Sequence, residues 1–161
     1  MDRIIWNDNM SVGIAEFDTD HRVIILTLNE IDDLLASGQS RQAARALADL
    51  MIFIRDHMER EIDFLERIGY PGIKVVRNGQ LQELQGFEAV YLAVSAGSPD
   101  ARELVDLLAR NMIRYLVTTD LAFKSFIEFK GLSDIRRAPL RTRKVALPDC
   151  PCKPATQFTP I

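Results

Sequence analysis

Histidine, cysteine and tryptophan are scarce in this chain: 161 residues hold two histidines, two cysteines and one tryptophan. Each scarcity excludes something. Cys150 and Cys152 are separated by a single proline; a bridge across so short a span is strained, and two thiols alone cannot complete a tetrahedral zinc site. A reducing cytoplasm is therefore the expected compartment. No uninterrupted apolar run approaches the roughly 18 residues of a membrane span. The start, Met1-Asp2-Arg3-Ile4, has no basic segment followed by an apolar one, so no secretory signal is expected. A formal net charge of -3 gives nucleic acid nothing to bind across the surface as a whole. Glycine-rich nucleotide loops, Ser-His-Asp arrangements and phosphate cradles are also missing, and strand signals are poor.

What is present suits one domain with a full core: 47% hydrophobic and 27% charged residues. Four helical stretches follow from the periodicity. The first covers about residues 18–36, with Val23, Leu26, Leu28, Ile31 and Leu34 at three- and four-residue steps and Ser37-Gly38 as its stop. Ser40 is placed to cap the second, whose apolar side carries Leu47, Leu50, Ile54, Met58, Phe64 and Leu65 and which ends before Gly69. The third spans about 76–94, with Asn78-Gly79 as a turn signal near its start. Ser98-Pro99-Asp100 opens the fourth, which runs to Lys130 and stops at Gly131. Long helices and short linkers predict an all-α, antiparallel up-down-up-down four-helix bundle over residues 1–131. Its first 16 residues form an N-terminal arm packed by Ile4, Ile5, Trp6 and Val12. Residues 132–161 differ in composition. They are basic at Arg136, Arg137, Arg141, Arg143 and Lys144, then proline-rich at Pro148, Pro151, Pro154 and Pro160. They form an extended C-terminal tail, either lying on the bundle or docking a protein partner.

Both histidines fall where a metal site would want them. His21 closes Trp6…Val12-Gly13-Ile14…Asp18-x-x-His21. His57 opens His57-x-x-x-Glu61, followed by Gly69-Tyr70-Pro71. Asp120, with Phe123 three residues on, lies in the last helix. On a helix, His57 and Glu61 stack on one face, a spacing that suits an imidazole and a carboxylate sharing one ion; alone, the pair is weak evidence and reads first as a solvated i,i+4 contact. The order and spacing of the whole set resembles the hemerythrins, four-helix proteins that bind oxygen at a pair of irons. The resemblance covers about residues 6–123.

The resemblance implies a ligand set. His21 and His57 match the histidines of one iron, and Glu61 and Asp120 match the two carboxylates that bridge the pair. The other iron's three histidines are replaced by Val76, Gln80 and Tyr115. All the losses belong to one iron, which implies a retained half-site for a single metal. Iron is expected, one per chain, and manganese or zinc also suits mixed nitrogen and oxygen donors. Val76 cannot bind metal. Gln80 can donate into the pocket of the lost iron. Tyr115 is the candidate catalytic residue: it bonds to the occupant of the open position, ligates directly, or supplies a proton and an electron. The plainer reading makes it a pocket filler bonded to a neighbouring carboxylate. Glu83, one turn beyond Gln80, is a possible partner of Tyr115 in a rebuilt second site. Asp18 either caps the first helix or supports the site from behind. Trp6 packs the arm.

Reversible carriage in the family needs two irons, so one metal points to a mononuclear oxidase or oxygenase acting on dioxygen or a small molecule in the bundle core. A second reading is an oxygen-, nitric oxide- or redox-sensing module, or a metal-free interaction module, signalling through residues 132–161. A third is a vestigial bundle whose four ligands persist as a buried hydrogen-bonded cluster. No nucleic acid and no membrane enters any of them.

Overall fold

Apolar residues recurring every three or four positions give long helices, and glycines end them. The computed structural model describes residues 2–131; Cys150, Cys152 and the whole of the segment 132–161 lie outside the described residues. The helices are α1 (Ala15–Ala36), α2 (Ser40–Arg67), α3 (Ile73–Ser95), α4 (Ala101–Tyr115) and α5 (Leu121–Phe129), with a π-helical segment, Leu116–Asp120, joining α4 to α5 without a break. The joined segments make the fourth arm of the bundle. No strand occurs among the described residues, and none of their helices is long and apolar enough to cross a membrane.

The helices pack in a ring: α1 on α2, α2 on α3, α3 on α4, and α4 back on α1. With connections this short, each helix runs against its neighbour, and the all-α four-helix bundle expected from the sequence is the architecture observed. Gly69 shows how the turns are made. At φ 67° it ends α2, its N–H bonding to the Glu66 carbonyl at 3.1 Å and the Tyr70 N–H to the Leu65 carbonyl at 2.9 Å. A residue with a Cβ adopts that backbone only under strain.

Four boundaries differ from the sequence reading. Helix α1 starts at Ala15, three residues early. Ser40 lies inside α2, and the capping position belongs to Gln39, whose side chain makes no cap bond. Helix α3 starts at Ile73 and carries Asn78-Gly79 within it, because packing overrides a local turn preference. Ser98-Pro99-Asp100 forms the turn before α4, with the Asp100 N–H donating to Ser98 Oγ at 3.3 Å.

The arm is held by polar clamps as much as by apolar contact. Buried Asn29 accepts from the Ile4 N–H at 2.9 Å and donates to its carbonyl at 2.8 Å. Asp18 accepts from Ser11 Oγ at 2.7 Å and the Val12 N–H at 2.8 Å, so it fastens the arm rather than supporting the site. Arg22 lies over the Trp6 ring at 4.6 Å. Val12 is buried, whereas Ile5 and, on α1, Leu26 point to solvent, against their expected packing.

The core is divided. One hydrophobic cluster gathers Ile24, Leu28, Leu47, Ile54, Phe87 and Val105; the other gathers Phe17, Ile62, Phe64, Val76, Leu116 and Phe123. On α1, α2 and α3 a buried polar residue stands where one cluster gives way to the other: His21 between Phe17 and Ile24, Glu61 between Met58 and Ile62, and Gln80 between Val76 and Phe87. His57 lies one turn before Glu61, and Asp120 lies within the second cluster, between Leu116 and Phe123.

Candidate metal centre

His21, His57, Glu61 and Asp120 are each at most 4% exposed, and all four line one interior cavity of about 30 Å³. Gln80, Glu83 and Tyr115 line it too, and the remainder of its wall is apolar. The imidazoles of His21 and His57 meet edge to face with centroids 4.8 Å apart. His21 Nε2 lies 3.5 Å from Asp120 Oδ2, and the Gln80 amide donates to Glu61 Oε2 at 2.5 Å.

Asp120 reaches this cavity because of the π-helical segment. Five residues of α-helix turn through about 500°, which would leave Asp120 roughly 140° around the helix from Tyr115. The wider turn, closed by the Leu121 N–H on the Leu116 carbonyl, returns the fifth residue to the same face. Tyr115 and Asp120 therefore line the cavity together. The sequence reading had one continuous α-helix here.

A second pair of residues was not foreseen. Asp20 Oδ2 sits 3.0 Å from His57 Nδ1 and accepts from Arg60 Nη2 at 2.8 Å, while Arg60 also bonds Glu16 and Asp56. A carboxylate on Nδ1 fixes the proton there and leaves the Nε2 lone pair for the cavity. Burial alone would raise the Asp20 pKa, but His57 and Arg60 outweigh it and hold Asp20 ionised. The signal was present in the sequence: Asp20 is a charged residue three positions from Phe17 and four from Ile24, on the apolar stripe of α1.

The electrostatics show what the cavity is short of. Burial, assisted by His57, depresses the His21 pKa to about 3, so that imidazole is neutral and has a lone pair to give. Burial raises Glu61, and raises Asp120 well above the usual carboxylate range, with Glu61 and Glu83 pushing it further. His21 Nδ1, Glu61 Oε1, Glu83 Oε2 and Asp120 Oδ1 are buried with no hydrogen-bond partner among the described residues. Buried polar atoms are rarely left so. A cation would satisfy the oxygens and lower the carboxyl pKa values together, so the donors present fit a metal. They share a cavity rather than a point: no three His, Cys, Asp or Glu side chains among the described residues converge closely enough to hold an ion as they stand. Side-chain rotations would have to bring them together on one ion.

Two expectations about the lost-iron positions are corrected. Val76 does not line the cavity; its side chain is part of the hydrophobic cluster around Phe17 and Phe123. The Tyr115 hydroxyl donates to the Val76 carbonyl at 3.1 Å, not to a carboxylate. Tyr115 also explains Gly79. A Cβ on residue 79 would lie 2.3 Å from Tyr115 Cε2, so the glycine makes room for the ring. Alanine is the better helix former by about 1 kcal/mol, yet Gly79→Ala is expected to lower the melting temperature. Paired with Tyr115→Ala it should destabilise less than the two single changes sum to, as read by thermal denaturation of all four proteins. Additive losses would mean the ring is not what the glycine serves.

A four-helix bundle with histidines and carboxylates at one level of its core defines the class. The chain is 24% identical over 120 residues to a protein named Bacteriohemerythrin from Stenotrophomonas maltophilia (strain R551-3), covering 74% of this chain and 78% of that one. It is 20% identical over 123 residues to proteins of the same name from Pseudomonas aeruginosa (strain LESB58) and Pseudomonas paraeruginosa (strain DSM 24068 / PA7), covering 76% of this chain and 80% of each relative. No protein-family profile matches the chain, and no solved structure matches it. The chain is thus similar to the bacteriohemerythrins, and its all-helical fold is consistent with a hemerythrin-like domain.

Proposed function

We propose that the chain holds a single non-haem metal ion, iron first and manganese or zinc as substitutes, at His21, His57, Glu61 and Asp120. It reacts with dioxygen as an oxidase instead of carrying it reversibly. The observation that carries this reading is that His21, His57, Glu61 and Asp120 line one cavity, three of them with a buried atom that has no partner among the described residues (His21 Nδ1, Glu61 Oε1, Asp120 Oδ1), while Val76, Gln80 and Tyr115 supply no further imidazole. When bound, iron supplies the one-electron chemistry with dioxygen that side chains lack.

The chain's own residues do the rest. Asp20, braced by Arg60, orients His57. Gln80 steadies Glu61. Tyr115, whose phenol is pushed upward by burial and then by Asp120, Glu61 and Glu83, keeps its proton on Oη as a donor beside the cavity. Size narrows the substrate: a water-sized occupant needs about 10–15 Å³, so a cavity of about 30 Å³ admits an ion and a diatomic, with no room for an organic molecule. That favours an oxidase with an external electron donor over an oxygenase.

The same size supports a second reading, in which the diatomic is sensed and a protein partner, engaged through residues 132–161, receives the signal. Oxygen uptake separates the two. The Fe(II)-loaded chain with excess reductant is expected to consume dioxygen continuously, and Tyr115→Phe to slow it several-fold. One equivalent consumed without turnover favours sensing, and oxygen released again under vacuum contradicts both single-metal readings. Asp20→Asn is expected to weaken metal binding about 10–100-fold with the helical content unchanged, the usual effect of removing a ligand's supporting carboxylate. Calorimetric titration with Zn(II) reads it, and an unchanged affinity would remove Asp20 from the account.

A further inference from the structure

The interior cavity has no room for an organic electron donor, so a donor must act from outside it. Between α3 and the fourth arm lies an open groove of about 290 Å³, lined by Gln82, Asn111, Arg114 and Thr118. Two further residues line it, Glu83 and Tyr115, and both also line the cavity, so they form the partition between the two spaces. The Tyr115 ring is fixed there. Its hydroxyl donates to the Val76 carbonyl at 3.1 Å, and Gly79, also at the groove, has no side chain to hold the ring away from α3. The groove offers chemistry as well as room. Arg114 makes one long bond, to Asn111 Oδ1 at 3.4 Å, and no other bond among the described residues engages its guanidinium. Thr118 Oγ1 gives its proton to the Arg114 carbonyl at 2.7 Å, which leaves the oxygen to accept. Glu83 is the one acid in the lining, and burial raises its carboxyl toward the neutral form against the pull of Arg114. The charge the groove presents is therefore that of a cation.

We propose that this groove docks the electron donor, and that the donor is a small planar anion with vicinal hydroxyls, an ene-diol of the ascorbate kind. Arg114 takes the negative charge, the amides of Gln82 and Asn111 take hydroxyls, and the flat donor lies against the Tyr115 ring beside Gly79. Ligand pockets run from roughly 300 Å³ upward for drug-sized molecules, so a groove of about 290 Å³ suits a smaller one. One side chain then separates the donor from the cavity. The donor's role rests on the function proposed above; its binding does not. The ene-diol monoanion gives up two electrons and its remaining acidic proton and becomes a vicinal diketone. Dioxygen takes the two electrons, that proton and one from solvent, and leaves as hydrogen peroxide.

The full-length chain, freed of metal and kept anaerobic, is titrated with ascorbate and followed by proton–nitrogen correlation NMR. Saturable shifts are expected at the Gly79, Gln82, Glu83 and Asn111 amides. Arg114→Ala should weaken the affinity at least about tenfold, the usual worth of a hydrogen bond to a charged group. Arg110→Ala removes the same charge one turn away, at a residue that pairs with Asp106 outside the groove, and should leave the affinity unchanged. Both arginines are exposed, so both variants fold, with circular dichroism as the check. No saturable shift at these amides, or Arg114→Ala binding as well as the parent chain, overturns the site. The donor's role is read separately in the Fe(II)-loaded chain, where Arg114→Ala should raise the ascorbate concentration that half-saturates oxygen uptake about tenfold. An unchanged concentration overturns that role. If the chain takes up no iron, the function proposed above fails instead, and the metal-free titration still decides whether the groove binds the anion.

Discussion

His57→Ala abolishes tight metal binding and leaves the bundle folded. The substitution takes away one of two nitrogen donors, and its effect should exceed the 10–100-fold that follows from removing a mere supporting carboxylate. The fold survives because the change strands no charge. Asp20 keeps its 2.8 Å bond from Arg60, and Arg60 keeps Glu16 and Asp56. What is lost structurally is a ring packed edge-on against Phe17 with centroids 5.6 Å apart, a large-to-small change of about 2–4 kcal/mol. Competition against a chromophoric chelator, with circular dichroism as the control on folding, reads both consequences. A variant that is folded and retains the parent affinity would mean His57 is not a ligand.

Removing the metal should lower the melting temperature by about 8–16 °C. The donors come from α1, α2 and the fourth arm, so one ion would tie three helices together. A ligand that binds only the native state, present at a thousand times its dissociation constant, adds about 4 kcal/mol. At 161 residues, each kcal/mol moves the melting temperature by roughly 2–4 °C. Relief of the carboxyl crowding at Glu61 and Asp120 acts in the same direction. Scanning calorimetry with and without a chelator measures the shift, and the same chelation should leave the melt of His57→Ala almost unmoved. A chain shown to have lost a bound ion and melting at the same temperature would contradict the account.

The bundle was legible because its signals are repetitive: apolar steps of three and four, and glycines 38, 69 and 131 ending three helices. Scarcity made the site legible as well. With only two histidines to place, the resemblance picked out His21, His57, Glu61 and Asp120, and the fold brings them to one cavity. Features that depend on contacts between helices were not readable. Gly79 looked like a turn because nothing in its own neighbourhood shows the Tyr115 ring, 36 positions away. Asp20 was passed over for Asp18 because the helical face of each could be read but its partner, Arg60, could not. The π-helical segment has no local sequence mark at all. It shows only in the requirement that Tyr115 and Asp120, five residues apart, face the same cavity.

The most direct test is an elemental count of iron, manganese and zinc in protein purified without a histidine tag and desalted to remove weakly held ions. One metal ion per chain, falling to near zero in both His21→Ala and His57→Ala, is the predicted result. No metal, even after anaerobic loading with Fe(II), would contradict the account and leave the polar layer as a hydrogen-bonded core.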